Sequence, residues 1–342
     1  MKAIDLRSDT TTLPTPEMKN AMMEAQVGDD VFREDPATLE LEEYAARLFG
    51  MEAALFCPSG TMTNQIAIKL HTQPGDEVIC DELAHVYQYE GGGIAFNSGC
   101  SVQLLHGDRG RFSAEDVKGA INNPQDVHKP LSRLVVVENT CNKGGGAIWD
   151  FEEIKAIRQV CNNEKLKFHL DGARLFNAIV EKDVEPGMYG NVFDTISICL
   201  SKGLGAPVGS LLIGSKNDML KARRIRKVFG GGMRQSGFIA SAGLYALKNQ
   251  VERLKEDHAK AKELEAALEQ CSWVKNILPV ESNIVIFDIR EDLEPETILG
   301  KLAGHQIKAV PFGPKTIRMV THLNISNDMI TKVTDVLKEL EV

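Results

Sequence analysis

The fold of this chain is decided by residues 195–205, which read T-I-S-I-C-L-S-K-G-L-G. Six residues of β-branched and apolar character predict a buried strand, and the polar break that follows contains Lys202. Open α/β sheets bind their ligands outside the carboxyl ends of the strands, which is where Lys202 stands. An amine that is partly desolvated there can lose its proton and attack a carbonyl. The stretch therefore predicts a strand followed by a nucleophilic amine, although a solvated turn would look similar.

Composition limits the classes of protein to which the chain can belong. At 342 residues it can form one large and one smaller domain with a substantial core. The net charge of −9 disfavours binding to nucleic acid, since nucleic-acid-binding domains usually carry a basic face. No apolar run approaches the length of a membrane span, so we expect no membrane association.

The cysteines and the first residues bear on the cellular compartment. Seven cysteines are scattered along the chain without a C-x-x-C pair, which indicates reduced thiols and no zinc site. The opening M-K-A-I-D-L-R-S-D-T has no apolar signal core. We therefore expect a cytoplasmic protein without a bound metal.

The middle of the chain alternates short apolar runs with helical segments, which is typical of a mainly parallel sheet covered by helices on both faces. Helix starts are indicated at Thr15-Pro16, Asp35-Pro36 and the capping box Ser113-x-x-Asp116. The predicted strands are 53–56, 77–80, 102–105, 134–137, 166–170, 196–200 and 210–213. The fold class is accordingly α/β with a sheet of seven-stranded type.

The pattern changes near Met233, where one long helical stretch is predicted to reach about Gln270. Strand-like pieces follow at 283–288, 307–310 and 316–320, and Ser326 begins a final helix. This predicts a smaller C-terminal α+β domain. The expected organisation is an irregular arm at 1–14, a large domain at 15–245 and a small domain at 246–342.

Three predicted strands end in chemically functional residues, namely Glu138, Asp171 and Lys202. Each alone could be a polar group that caps a turn. Together they suit pyridoxal phosphate, which needs a lysine amine for covalent attachment and a carboxylate beside its pyridine nitrogen. Lys202 and Asp171 supply these two groups.

A phosphate-binding segment is also recognisable. Ser59-Gly60-Thr61 directly precedes a helix and offers free N–H groups and hydroxyls, although an ordinary helix cap has the same appearance. His85 could lie against the cofactor ring or be an unrelated histidine. The basic run Lys221–Lys227, with Arg234 beyond it, is either a solvated helix face or a source of cations for a phosphate across a subunit boundary.

Longer motifs carry a family resemblance over essentially the whole chain. They are L6-R-S-D-T10, G28-D-D-V-F32, P58-S-G-T61, E138-N-T140, H169-L-D-G-A-R174, C199-L-S-K-G-L-G-A-P-V-G-S210, G230-G-G-M-R-Q-S-G237 and R318-M-V-T-H322. The sequence resembles the low-specificity L-threonine aldolases, a family of fold-type I pyridoxal phosphate enzymes. One departure is Cys141, which stands where some relatives carry histidine and should not remove activity.

The resemblance implies roles for individual residues. Lys202 would hold the cofactor covalently, Asp171 would pair with its ring nitrogen and His85 would stack on its ring. The phosphate would be bound by Ser59, Gly60 and Thr61, and by Lys227 and Arg234 of a neighbouring subunit, while Arg174 would contact the cofactor. The substrate carboxylate would be gripped by Ser8, Arg174 and Arg318, where an arginine can bind in a two-pronged geometry.

The activity implied by the resemblance is that of a carbon–carbon lyase, which cleaves L-threonine or L-allo-threonine into glycine and an aldehyde. His128 and His85 are both candidates for the base that takes the β-hydroxyl proton, directly or through water. Serine hydroxymethyltransferase or aminotransferase chemistry, or a catalytically silent binding protein, remain as alternatives. The implied assembly is a homotetramer whose minimal active unit is a dimer.

Overall fold

The computed structural model describes residues 3–341, so Met1, Lys2 and Val342 lie outside it. The strands are β1 (Ile4–Asp5), β2 (Ala53–Cys57), β3 (Glu77–Asp81), β4 (Ser101–Leu105), β5 (Ser132–Glu138), β6 (Lys167–Gly172), β7 (Thr195–Cys199), β8 (Ser210–Gly214), β9 (Val274–Ile277), β10 (Ile284–Ile289), β11 (Ile307–Lys308), β12 (Val310–Gly313) and β13 (Thr316–Val320). The helices are α1 (Pro16–Met23), α2 (Pro36–Leu48), α3 (Gly60–His71), α4 (His85–Gln88), α5 (Ala114–Ala120), α6 (Phe151–Glu164), α7 (Leu175–Lys182), α8 (Pro186–Gly190), α9 (Lys216–Val228), α10 (Gly237–Asn249), α11 (Leu254–Leu268), α12 (Pro295–Gly304) and α13 (Asn327–Glu339).

The central sheet has seven strands in the order β2-β8-β7-β6-β5-β3-β4. All of its pairs are parallel except those of β8, which runs antiparallel to both β2 and β7. Strand β7 is buried along its whole length, as its unbroken apolar run predicts. The predicted α/β class with a mainly parallel sheet is confirmed.

The side chains that were predicted to cap the starts of helices form the expected hydrogen bonds. Thr15, Asp35 and Ser113 each accept a hydrogen bond from a first-turn backbone N–H, and Ser113 and Asp116 form the reciprocal capping box. Within the part of the chain that the structure describes, no helix is both long and apolar enough to cross a membrane.

A second sheet, β12-β13-β10-β9, is antiparallel and has its own apolar core, which includes Trp273, Phe287 and Leu264. Strand β1 pairs in parallel with β11, and the Val320 N–H donates to the carbonyl of Leu6 at 2.8 Å. The predicted irregular arm therefore contains a strand and is fastened to the C-terminal part of the chain.

The single long helix predicted up to Gln270 is wrong. The chain forms α10 and α11 instead, with a break at residues 250–253. The break has a tertiary cause, because Ala240 and Ala246 of α10 pack in the core of the central sheet, whereas Leu264 and Leu268 of α11 pack in the second core. Strand β9 was missed because its residues, V-K-N-I, are not buried and do not alternate.

Four charged side chains, Asp30, Glu42, Arg223 and Arg226, form a cluster beside β2. The Arg226 guanidinium, 1% exposed, pairs with Asp30 and donates to the carbonyl of Phe56 at 2.6 Å. Glu42 accepts from the Phe56 N–H at 2.9 Å and from Arg223 at 3.2 Å. Burial raises the pKa of Glu42. The cluster fixes the end of β2, from which the chain enters the Ser59-Gly60-Thr61 turn.

We expect Arg226→Met to lower the free energy of unfolding by about 3–5 kcal/mol, because it leaves the buried Asp30 carboxylate without its partner. Urea denaturation measures this change. The matched control Arg47→Met breaks the exposed pair with Glu43 and should cost less than about 0.5 kcal/mol. Equal losses in the two variants would contradict the proposed importance of the cluster.

Candidate active site

The carboxyl edge of the central sheet brings three predicted residues together. The parallel register places Glu138, at the end of β5, beside Asp171 in β6, and Asp171 beside Ser197 in β7. Lys202 is the third residue after the end of β7. Glu138 and Asp171 are both buried, at 6% and 1% exposure. The strand ends that the sequence analysis singled out therefore lie next to one another at one edge of the sheet.

Lys202 is half-buried, and no hydrogen bond or ion pair of its ammonium is found within residues 3–341. The turn after it is closed by the Gly205 N–H, which donates to the Lys202 carbonyl at 2.9 Å, and Gly205 has a φ of +82°. A Cβ at Gly203 would come within 2.9 Å of Leu254. The glycines thus allow a tight turn that leaves the amine without a protein partner.

Asp171 receives two hydrogen bonds, from Asn64 Nδ2 at 2.9 Å and from the Ala173 N–H at 3.2 Å. The same Asn64 amide nitrogen donates to Glu90 at 2.8 Å, so the Asn64 carbonyl oxygen must accept from His169 Nε2, 3.2 Å away. His169 Nδ1 is then the acceptor for the Thr195 hydroxyl at 2.9 Å. Burial lowers the pKa of His169 to about 4, which keeps its imidazole neutral.

His85 lies between two of the buried carboxylates. Its Nδ1 is 3.0 Å from Glu90, and its backbone N–H donates to Glu138 at 2.9 Å. Burial lowers the pKa of His85, but Glu90 and Asp171 together raise it above its usual value. Burial and the neighbouring Asp171 raise the pKa of Glu138 to about 7. The site therefore concentrates acidic groups where a cationic ring nitrogen would be stabilised.

The donor atoms of His85, Glu90 and Asp171 lie within 4.8 Å of one another, which is close enough to hold a metal ion. The Asn64 amide donates to both carboxylates, and Gln65 Nε2 donates to the second Glu90 oxygen at 2.7 Å. These carboxylate oxygens therefore already accept hydrogen bonds from protein donors.

Helix α3 begins at this site. Ser59 caps it by accepting from the Met62 N–H at 3.2 Å, as an ordinary cap does. The N–H groups of Gly60 and Thr61 have no acceptor in the described part of the chain. A Cβ at Gly60 would lie 2.6 Å from the sulfur of Cys199 at the end of β7, so only glycine allows this approach. Free N–H groups at the positive end of a helix dipole are suited to an anion, which is the prediction made for this segment.

Arg174 and Asp9 form a buried two-pronged pair, with Nε and Nη2 at 2.8 and 2.7 Å from the carboxylate oxygens. Burial raises the pKa of Asp9, but the charges of Arg174 and Lys202 outweigh it and hold the pKa below its usual value. The Asp9 carboxylate uses Nε–H and one Nη2–H of Arg174, so both Nη1–H groups and the second Nη2–H remain for a ligand. A two-pronged grip on a substrate carboxylate through Nη1 and Nη2 of Arg174 stays a prediction. Ser8 caps the turn Asp9–Thr11 and accepts from the Thr10 N–H at 3.2 Å.

Arg318 differs from Arg174 because no carboxylate within residues 3–341 pairs with it. It donates to Asn142 Oδ1 at 2.9 Å and to the Arg7 carbonyl at 3.1 Å, while its buried Nε has no partner. Burial, reinforced by the charge of Arg174, lowers the pKa of Arg318 to about 10. A half-buried cation with an unsatisfied donor is suited to bind an anion.

Three predicted site residues do not lie beside Asp171 and its neighbours within one chain. Arg234 pairs with Asp29 at 2.8 Å, and Lys227 is exposed at the end of α9. His128 is 89% exposed in the loop before β5 and contacts Asp126 at 2.9 Å. That loop meets the amino end of the sheet, since the Glu77 N–H at the start of β3 donates to Leu131. His128 thus lies at the edge opposite Asp171, and its own chain does not support its role as the base.

The sequence matches the family described as Beta-eliminating lyase over residues 5–292. It is 39% identical to "Probable low-specificity L-threonine aldolase 2" of Arabidopsis thaliana, covering 96% of this chain and 94% of that one. It is also 39% identical to "Low specificity L-threonine aldolase" of Escherichia coli K12, covering 96% and 97%. The chain belongs to the threonine aldolase family.

Solved structures of threonine aldolases share the fold. A Leishmania major threonine aldolase has a TM-score of 0.85 at 22% identity, covering 98% of this chain and 99% of that one. A putative L-allo-threonine aldolase from Listeria monocytogenes has a TM-score of 0.81 at 20% identity, covering 99% and 96%. The family and the fold-type I architecture that the motifs indicated are both confirmed.

Some residues of this threonine aldolase site were missed from the sequence. Asn64 and Glu90 carry no local signal of function, and Asp9 was quoted only inside a motif. Glu138 was noted at a strand end without a role. The spacing of His85 and Glu90, five residues apart around a short helix, was the one pattern that could have suggested their contact.

The buried histidine makes stability depend on pH. Between pH 6.5 and about 4, unfolded His169 binds a proton that the folded chain excludes, so lowering the pH favours unfolding. From pH 7 to pH 5 the wild type should lose about 2 kcal/mol more unfolding free energy than His169→Gln, measured by urea denaturation. The control His305→Gln removes an exposed imidazole and should behave like the wild type. An identical pH dependence in His169→Gln would contradict the neutral buried imidazole.

Proposed function

We propose that this protein uses pyridoxal phosphate to cleave β-hydroxy-α-amino acids, L-threonine and L-allo-threonine among them, into glycine and an aldehyde. The proposal follows the activity named for its relatives, including the enzyme of Escherichia coli. The observation that carries it is the half-buried Lys202 amine, which has no partner among residues 3–341 and lies at the sheet edge that also holds the buried Asp171 carboxylate. An amine held in this way is available for a carbonyl.

The residues present fit this cofactor. Lys202 would hold it covalently, Asp171 would face its ring nitrogen, and His85 would lie against the ring. Its phosphate would be bound by the free N–H groups of Gly60 and Thr61 with the hydroxyls of Ser59 and Thr61, where the gap beside Cys199 excludes any side chain at position 60. When bound, the cofactor supplies an electron sink for a bond broken at the α-carbon of the substrate.

The cationic residues of the site select which bond of the substrate breaks. Arg318, with its unsatisfied Nε, and the Nη1 and Nη2 donors that Asp9 leaves on Arg174 would bind the α-carboxylate, with Ser8 beside them. Fixing the carboxylate restricts rotation about the α-carbon, so that the Cα–Cβ bond can be presented in place of Cα–H. Presenting Cα–Cβ gives aldolase chemistry, whereas presenting Cα–H gives aminotransferase chemistry.

A base must take the β-hydroxyl proton. Glu90 holds Nδ1 of His85, which leaves Nε2 to accept a proton whenever the imidazole is neutral. His128 can take part only if a second chain brings it to the site, and the same holds for Lys227 and Arg234 at the phosphate. We therefore propose a homo-oligomer with at least two chains, and a homotetramer as its full assembly. All seven cysteines are free and buried, which supports our proposal of a cytoplasmic enzyme.

The first test uses purified protein supplied with pyridoxal phosphate and L-threonine alone. We expect acetaldehyde and glycine in equal amounts without folate or a keto acid, and a loss of turnover of at least about 1000-fold in Lys202→Ala. Acetaldehyde can be followed by coupling its reduction to NADH oxidation. Borohydride should fix the cofactor irreversibly on Lys202, as peptide mapping would show.

Lys155→Ala, at an exposed pair with Glu152, is the matched control and should keep wild-type turnover. A requirement for folate would favour a hydroxymethyltransferase, and a requirement for a keto acid would favour an aminotransferase. Either requirement, or full turnover in Lys202→Ala, would refute the proposal.

The second test concerns the carboxylate site. Arg318→Leu should raise the KM for L-threonine by about 10- to 100-fold, since a charge-assisted hydrogen bond contributes about 1.5–3 kcal/mol. Arg318→Lys, which keeps the charge, should give an intermediate KM. The control Arg290→Leu breaks an exposed pair with Asp292 and should leave KM unchanged. A wild-type KM in Arg318→Leu would remove Arg318 from the site.

A further inference from the structure

Two cationic side chains contact the same aromatic ring at the small antiparallel sheet. Lys143 Nζ lies 4.2 Å from the ring centroid of Phe312 and donates to the Phe312 carbonyl at 3.2 Å. The Arg318 guanidinium carbon lies 4.5 Å from the same centroid. The two cations are therefore less than about 9 Å apart, with a ring whose electrostatics favour both of them.

Neither cation has a carboxylate partner in the portion of the chain described here. By contrast, Arg174 pairs with Asp9 and Arg109 pairs with Glu281. Arg318 alone is enough to bind the α-carboxylate of an amino acid. Lys143, which is half-buried beside Arg318, is not needed to bind that carboxylate. The region therefore has one positive charge more than the single carboxylate of threonine can pair with.

Lys143 is also connected to the residues around the proposed reaction. It follows Asn142, whose side chain accepts from Arg318 and whose N–H donates to Glu138 at 2.9 Å. Its ammonium is 5.8 Å from the ring centroid of Tyr89, and that ring is 5.7 Å from the His85 ring. If His85 acts on the β-hydroxyl, a substituent on the β-carbon extends toward Tyr89 and Lys143.

We propose that Lys143 binds a second anionic group on the substrate, so that the site accepts β-hydroxy-α-amino acids whose β-carbon carries a carboxylate. The smallest such substrate is 3-hydroxyaspartate. The Cα–Cβ bond breaks, the β-hydroxyl loses its proton as the carbonyl forms, and the α-carbon gains a proton. The products are glycine and glyoxylate, and no oxidant or reductant is required. This inference rests on the proposed aldolase function and specifies its substrate class.

The test compares kcat/KM for 3-hydroxy-L-aspartate and L-threonine in the wild type, Lys143→Met and Lys143→Arg. Methionine keeps the length of the side chain and removes its charge. We expect the ratio of the two kcat/KM values, hydroxyaspartate over threonine, to fall at least about 10-fold in Lys143→Met, and to stay within about 3-fold of wild type in Lys143→Arg. The control Lys275→Met breaks an exposed pair with Glu291 and should keep the wild-type ratio.

Binding without turnover supplies a second measurement. L-Aspartate lacks the β-hydroxyl, and L-alanine lacks the second carboxylate as well. L-Aspartate should raise the Tm of the wild-type protein more than L-alanine does at equal concentration, and this difference should vanish in Lys143→Met. If Lys143→Met does not fold, the wild-type comparison of the two amino acids still decides the matter.

The outcomes separate this inference from the proposed function. If the wild type cleaves threonine but the ratio is unchanged in Lys143→Met, Lys143 only covers the Phe312 ring and the inference fails while the aldolase function stands. The inference also fails if L-aspartate stabilises the protein no more than L-alanine. If neither threonine nor hydroxyaspartate is cleaved, the proposed function fails and the inference fails with it.

Discussion

The buried pair between Asp9 and Arg174 is the interaction on which the rest of the site depends. Asp9 belongs to the segment that follows β1, Arg174 follows β6 of the central sheet, and Asn283, just before β10 of the second sheet, donates to Asp9 at 3.2 Å. Three separate parts of the chain thus meet at one carboxylate. Removing either charge would leave the other buried and unpaired, which costs about 3–5 kcal/mol. The pair therefore connects the segment after β1 to both sheets.

Acidic and cationic side chains lie on different sides of this pair. Acidic groups gather at the ends of β5 and β6, where Glu138 and Asp171 are neighbours and Glu90 joins them through Asn64. Cationic groups gather on the side of the second sheet, at Arg318. The cofactor would place a positive ring nitrogen at the acidic side, and the substrate would place its negative carboxylate at the cationic side. Electrostatic preorganisation of this kind orients the substrate before any bond breaks.

The sequence predicts the parts of this arrangement that local pattern determines. The buried run of β7 and the polar residues at strand ends place Asp171 and Lys202 at one edge, because parallel strands end together. The cap at Ser59 is equally local. Contacts such as Asn64 with Asp171 or Asp9 with Arg174 join residues more than a hundred positions apart, and no periodicity encodes them. The break between α10 and α11 was missed for the same reason, since it follows from packing in two different cores.

The residues proposed to bind the cofactor and those proposed to bind the substrate lie on different elements, and this separation affects substrate specificity. The residues proposed for the cofactor lie at strand ends and at the start of α3, where register and close packing, as at Gly60 against Cys199, leave little room for change. The groups proposed for the substrate lie on the segment 139–147 and on β12 and β13, which meet through Lys143, Phe312 and Arg318. A side chain at position 143 can be exchanged without altering the register of the central sheet. Substrate range can therefore vary in this fold while the chemistry at Lys202 stays the same, because different elements determine the two properties.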